Sequence, residues 1–207
     1  MTLIRSLIRA FSDQQYALRS VESALECAAK EGGVGAATAQ GEDVLAAVAL
    51  KNSVLETNNY VAINHSRMNM FATMFFGVLD PRSGKLLYVN GGHEAPVLLG
   101  SQGVKGRLKH TGPAVGMMAD MPFEVGEVQL DAGDLLIAYT DGVTEARSPT
   151  REFFAEPRLL SLLQAQPPGI SAGACVEAVN AALRAHIATA DQFDDITMLA
   201  IARLPAS

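Results

Sequence analysis

Two acidic runs sit at the ends of apolar runs of strand length, and they constrain the fold more than any other feature. Thr140-Asp141-Gly142-Val143-Thr144-Glu145 follows Leu135-Leu136-Ile137-Ala138-Tyr139. Asp194-Asp195-Ile196-Thr197 precedes Met198-Leu199-Ala200-Ile201. One run closes the C-terminal end of its strand and the other opens the N-terminal end. In an antiparallel pair those ends lie side by side. Carboxylates gathered there suit a hard cation such as Mg²⁺ or Mn²⁺, which prefers oxygen ligands. Taken singly, Asp141-Gly142 is an ordinary turn and Asp194-Asp195 an ordinary strand start. The conjunction is more informative, because adjacent carboxylates are costly to hold together without a cation or a shared proton.

The rest of the chain falls into helices, then a strand meander, then two helices and a closing strand. Leu3, Ile4, Leu7, Ile8 and Phe11 recur at helical spacing. A second helix is expected from Gln14 to Lys30, and residues 33–40, rich in Gly and Ala, read as a loop. A third helix is expected from Glu42 to about His65, with Val44, Leu45, Val48 and Leu55 inward and Asn58-Asn59 weakening its end. Residues 70–79 read as a strand, turned by Pro81-Arg82-Ser83-Gly84 into a return over 85–90, with a further strand at 95–99. Residues 123–130 and 135–140 read as a hairpin around Asp131-Ala132-Gly133-Asp134, Gly126 marking a bulge. Helices follow over 156–166 and from an N-cap at Ser171, the latter carrying Val176, Val179, Leu183 and Ile187 on one face. The final strand spans 196–203. This order suits an α+β domain with antiparallel sheets covered by helices.

At 49% apolar residues the 207-residue chain can build a full core. Its net charge of −6 argues against a nucleic-acid partner, since phosphate backbones select basic faces. Cys27 and Cys175 form no metal or disulfide pattern and read as small buried hydrophobes of a reducing cytoplasm. No apolar run is long enough to span a bilayer, and residues 1–5 carry no signal-peptide pattern.

Asn90-Gly91-Gly92-His93-Glu94-Ala95-Pro96 allows close backbone approach beside a histidine. It serves equally as a bulge or turn with His93 partly exposed. Thr111 to Gly116 borders a cleft or turns into the next strand. Met70, Phe71, Met74, Phe75 and Phe76 read as core, and His65, His110 and His186 have no partner at ligand spacing.

At these residues the chain resembles the SpoIIE/RsbU-type serine phosphatases, the bacterial branch of the PPM, or protein phosphatase 2C-like, family. The matching pieces are residues 69–80, 88–96, 112–116, 140–145 and 194–197, in the family's order. The resemblance covers residues 1 to about 203, and it implies one partial domain over 1–207: 1–65 mainly helical, 66–142 a strand meander, 143–190 helical, 191–207 a closing strand and tail. It implies an α-β-β-α sandwich. It also implies hydrolysis of phosphoserine or phosphothreonine on a protein, with two Mn²⁺ or Mg²⁺ ions activating water. Asp141 and Asp194 would be metal ligands, Asp195 an outer residue supporting them, and His93 structural or cleft-lining. The implied partner is a phosphorylated regulatory protein of the STAS-type anti-sigma-factor antagonist class.

The family also carries a G-D-x-x-G-x-G-type motif whose aspartate bridges both metals, and this chain shows none. The expected fold therefore lacks its first strands, with exposed sheet edges that favour a homo-oligomer. Three explanations compete: a fragment of a longer phosphatase, which is the reading preferred here; strands supplied by another chain; or a degenerate module that binds a partner without turnover. An unrelated metal-binding α+β domain with accidental matches is the remaining alternative.

Overall fold

The computed structural model of the protein describes residues 37–64 and 70–205. The helices expected before Lys30, the first part of the expected loop (33–36) and residue His65 lie outside the described residues. In chain order the elements are α1 (Ala37–Asn64), β1 (Met74–Leu79), β2 (Lys85–Gly91), β3 (Val97–Gly100), β4 (Gly103–Arg107), β5 (Gly126–Gln129) and β6 (Leu135–Tyr139). They continue with α2 (Asp141–Thr144), α3 (Glu156–Gln164), α4 (Ala172–Ile187) and β7 (Met198–Ala202). Residues 37–40, expected as loop, are the first turn of α1. The chain divides into two compact units.

Of the described residues, the first unit holds 37–64, 70–79, Leu86–His93 and His110–Glu127. Its sheet runs β1-β2-β5, with β1 and β2 antiparallel in unbroken register from Met74↔Gly91 to Leu79↔Leu86. Leu50 and Val54 of α1 share one core with Leu87, Val89, Val115 and Phe123. The buried face of α1 is thus carried by Leu50, Val54 and Val61, at helical spacing, rather than by Val44, which is 64% exposed. Ser53 and Thr57 are buried among them, and each hydroxyl donates to the carbonyl four residues back at 2.7 Å. Met74 and Phe76 pack on this core, whereas Phe71, expected inside, is 61% exposed. A Cβ on Gly126 would lie 2.4 Å from Cζ of Tyr88, so the glycine makes room for that ring.

Asn58 and Asn59, read as weakening the end of α1, have a task there. The Asn58 side chain accepts from Gly116 N at 2.9 Å and donates to Met118 O at 2.8 Å. Asn59 accepts from Asp120 N and donates to Asp120 Oδ1. Their polar groups are spent on the neighbouring loop, so they do not compete with the helix.

The second unit holds Asp80–Lys85, Glu94–Lys109 and the chain from Val128 onward. Its sheet runs β4-β3-β6-β7 with every neighbour antiparallel. One face buries Val97, Leu99, Leu135, Ile137 and Tyr139 against Leu159 and Leu163 of α3 and Cys175, Val179 and Leu183 of α4. Each Val, Leu or Ile among them contributes about 1.5–3 kcal/mol by leaving water. The inward row of α4 is therefore Cys175, Val179 and Leu183, spaced by four, with Val176 and Ile187 at its margin. Ser171 caps α4 as expected, its side chain accepting from Ala174 N at 3.2 Å.

Strand β4 is a correction to the sequence reading, and so is the partner of β5. The latter belongs to the sheet of β1 and β2 while β6 joins β3 and β7, so 123–130 and 135–140 form no hairpin. The turn at 131–134 changes sheets instead of reversing within one. No helix among the described residues is long and apolar enough to cross a membrane.

Candidate metal centre

Strands β6 and β7 run antiparallel from Leu135↔Ala202 to Tyr139↔Met198. The register brings the C-terminal end of β6 beside the N-terminal end of β7, as the acidic runs predict. The pairing does not stop at the strand ends. Thr140 N donates to Thr197 O at 3.0 Å, and the Thr140 hydroxyl accepts from Thr197 N at 3.0 Å while donating to Asp195 O at 2.8 Å. One threonine side chain thus clasps the segment that bears Asp194 and Asp195.

Gly142 completes the approach. A Cβ at this position would lie 2.4 Å from the Asp195 carbonyl oxygen and 3.4 Å from the Asp194 carbonyl carbon. Backbone meets backbone here, and only a residue without a side chain permits it. The segments carrying Asp141 and Asp194 are therefore held together by main-chain contact, both aspartates being exposed.

Each carboxylate is oriented by its own chain. Asp141 Oδ1 accepts from Gly142 N at 3.0 Å, and Asp194 Oδ1 accepts from Asp195 N at 2.7 Å. The Asp141 carbonyl takes the Thr144 hydroxyl and Glu145 N, which fixes the turn that follows. Among the described residues no group of three or more His, Cys, Asp or Glu side chains is gathered as a metal cage. The donors fit Mg²⁺ or Mn²⁺ in kind, being carboxylate oxygens open to water. Such ions are commonly held by one or two carboxylates with the remaining positions left to water and substrate phosphate.

His93 lies in the first unit, in the loop after β2. Its amide donates to Asn90 Oδ1 at 2.9 Å, its ring Nδ1 is 3.3 Å from the Thr73 hydroxyl, and its carbonyl is 2.8 Å from His110 Nε2. These contacts hold the Gly91-Gly92 loop in shape.

Three residues escaped the sequence reading. Thr140 and Gly142 were visible only as parts of a motif, and their contacts to Asp195 are made in three dimensions. Arg147 gave no signal beyond its place after the first acidic run. Its guanidinium carbon lies 3.5 Å from the ring centre of Phe193 and 5.1 Å from that of Phe153.

The described fold is that of PP2C phosphatase domains. The SiaA-PP2C domain of Pseudomonas aeruginosa superposes with a TM-score of 0.60 at 20% identity, covering 73% of this chain and 60% of that one. The chain belongs to the SpoIIE family of PP2C-like protein phosphatases, the pattern of Stage II sporulation protein E (SpoIIE) matching residues 1–204. It is 44% identical to Protein IcfG of Synechocystis sp. over 207 residues, 98% of this chain and 31% of IcfG. Phosphoserine phosphatase RsbU of Bacillus subtilis is 29% identical over 115 residues, 55% of this chain and 34% of RsbU. The chain thus spans about a third of the length of each of these relatives.

Proposed function

We propose that this chain is a divalent-cation-dependent phosphatase domain acting on phosphoserine or phosphothreonine of a regulatory protein, with Asp141 and Asp194 as cation ligands and Asp195 supporting them. The observation that carries this reading is the β6–β7 pairing, which the Thr140 clasp and the Gly142 contact extend to the two aspartates. Asp141 and Asp194 would hold Mn²⁺ or Mg²⁺, which would supply an acidified water and neutralise charge on the phosphoryl group. The protein's part is to hold the two aspartate-bearing segments side by side and leave their outer side open to a phosphorylated chain. Membership of the SpoIIE family supports a substrate of the STAS-type antagonist class, in a cytoplasmic partner-switching pathway.

The test is Mn²⁺-dependent hydrolysis of p-nitrophenyl phosphate and a phosphoserine peptide by the wild type, Asp141→Ala and Asp194→Ala. Turnover that both substitutions abolish supports the reading. Turnover indifferent to both would sink the site assignment.

A second reading has an observation in its favour. With two aspartates and no third ligand gathered among the described residues, the domain would bind its phosphoprotein partner without hydrolysing it. Retention of a phosphorylated antagonist with no release of phosphate in Mn²⁺ would favour this module over the enzyme.

A further inference from the structure

Residues 144–155 fold into a hairpin beyond α2. Ala155 N donates to Thr144 O at 2.8 Å, Phe154 N to Ala146 O at 2.7 Å and Ser148 N to Glu152 O at 2.9 Å. Arg147 and Phe153 face each other as an antiparallel bridge. Ala146 and Phe154 point into the core beneath, at 3% and 2% exposure. The hairpin is therefore anchored on one side, and it presents Arg147 and Phe153 on the other.

The guanidinium of Arg147 is shared between two rings. It sits over Phe153, on its own hairpin, and closer still over Phe193, the residue immediately before Asp194. Its Nε is buried and makes no hydrogen bond. A cation removed from water over an aromatic face is attracted more strongly than an exposed one. Hydrogen bonds leading up to Asp194 are local: Ala190 N to Ile187 O, and Gln192 Nε2 to Asp194 O. The Thr140 clasp holds the chain after Asp194, and the Arg147 stack holds it before.

We propose that Arg147 is a positioning residue: stacked between Phe153 and Phe193, it ties the hairpin that follows Asp141 to the segment that delivers Asp194, and so fixes the cation-binding geometry. This rests on the reading of Asp194 as a cation ligand. The stack itself is independent of that reading and can be probed without a metal.

Two measurements on Arg147→Ala, Arg147→Lys, Phe193→Ala and the Arg147→Ala/Phe193→Ala double variant decide it. The first is hydrogen–deuterium exchange across residues 190–197 in chelator. The second is Mn²⁺ affinity, from the loss of the free-ion electron paramagnetic resonance signal. Arg147→Ala is expected to speed exchange across 190–197 and weaken Mn²⁺ binding by about tenfold, as loss of a residue supporting a metal ligand commonly does. Lysine, which keeps the charge but not the planar stack, should recover part of the loss. The double variant should bind no more weakly than Phe193→Ala alone.

Unchanged exchange in Arg147→Ala overturns the clamp. Faster exchange, or a lower melting temperature, with unchanged Mn²⁺ affinity overturns the positioning role and leaves a structural contact. If the wild type binds no Mn²⁺ while exchange responds to Arg147, the cation reading fails, and the positioning role falls with it while the stack survives.

Discussion

The side-chain hydroxyl of Thr140 and the main-chain carbonyl of Asp195 are 2.8 Å apart, a bond made 55 residues along the chain. The same hydroxyl accepts from Thr197 N. Thr140→Val keeps the shape and removes both bonds. The expected cost is about 1 kcal/mol in urea unfolding, with Mn²⁺ affinity lowered because the Asp194–Asp195 segment loses its tie to β6.

Gly142 and Gly133 make a matched pair of substitutions. A Cβ on Gly142 meets the Asp195 backbone at 2.4 Å, and backbone cannot rotate away. Gly142→Ala is expected to cost about 2 kcal/mol through overpacking and to abolish cation-dependent turnover. Gly133 has φ of +90° and nothing within 4 Å, so Gly133→Ala meets only backbone strain. That variant should lose roughly 1 kcal/mol and retain its activity, which chemical unfolding and a phosphatase assay would check.

Burial pushes the Tyr139 hydroxyl from 10.0 up to about 12, with the charges of Glu94 and Glu156 adding to the effect and Arg107 opposing it. The raised value means the unfolded chain releases its proton first. The stability contributed by the neutral phenol is complete below pH 10 and drains away as pH rises toward 12. Tyr139→Phe should therefore flatten the fall of melting temperature across that interval. At neutral pH it should cost no more than about 1.5 kcal/mol, the worth of the hydroxyl's contact with Arg107.

Lys105 bridges Asp131 at 2.6 Å and Asp134 at 2.7 Å. The lysine's hydrogen bond holds the Asp131 carboxyl below its ordinary 3.8, and the bonds to Asp131 and Asp134 hold the Lys105 ammonium above its ordinary 10.5. The depressed carboxyl stabilises the fold above pH 3.8 and fails on further acidification. The raised ammonium stabilises it below pH 10.5 and fails in stronger base. Lys105→Met should shrink both losses in a series of melting curves, and lower stability through the middle of the range because the Asp134 side chain, 7% exposed, loses its cation.

The strand pairing beneath the candidate site was legible because apolar runs with clear ends define β6 and β7, and antiparallel geometry follows from their polarity. Ser171 was legible as a cap because only a local bond was needed. Strand β4 was not, since Gly103-Val-Lys-Gly-Arg107 carries two glycines and two cations at a sheet edge, where burial dictates little. The 131–134 turn was misread because turn chemistry reports a reversal and not the strand that awaits beyond it. Phe71 was misjudged from hydrophobicity alone. The Arg147 stack joins residues 147, 153 and 193 through side chains, and no local pattern encodes such a meeting.

Between β6 and β7 the chain makes a long excursion through α2, α3 and α4 before returning to pair. Contacts so distant along the chain form slowly, after the intervening loop entropy has been lost. Asp141 and Asp194 are thus strangers during synthesis and become neighbours only when the last described strand docks. Any cation affinity at this pair would report completion of the second unit, and a nascent chain arrested before Met198 would have none.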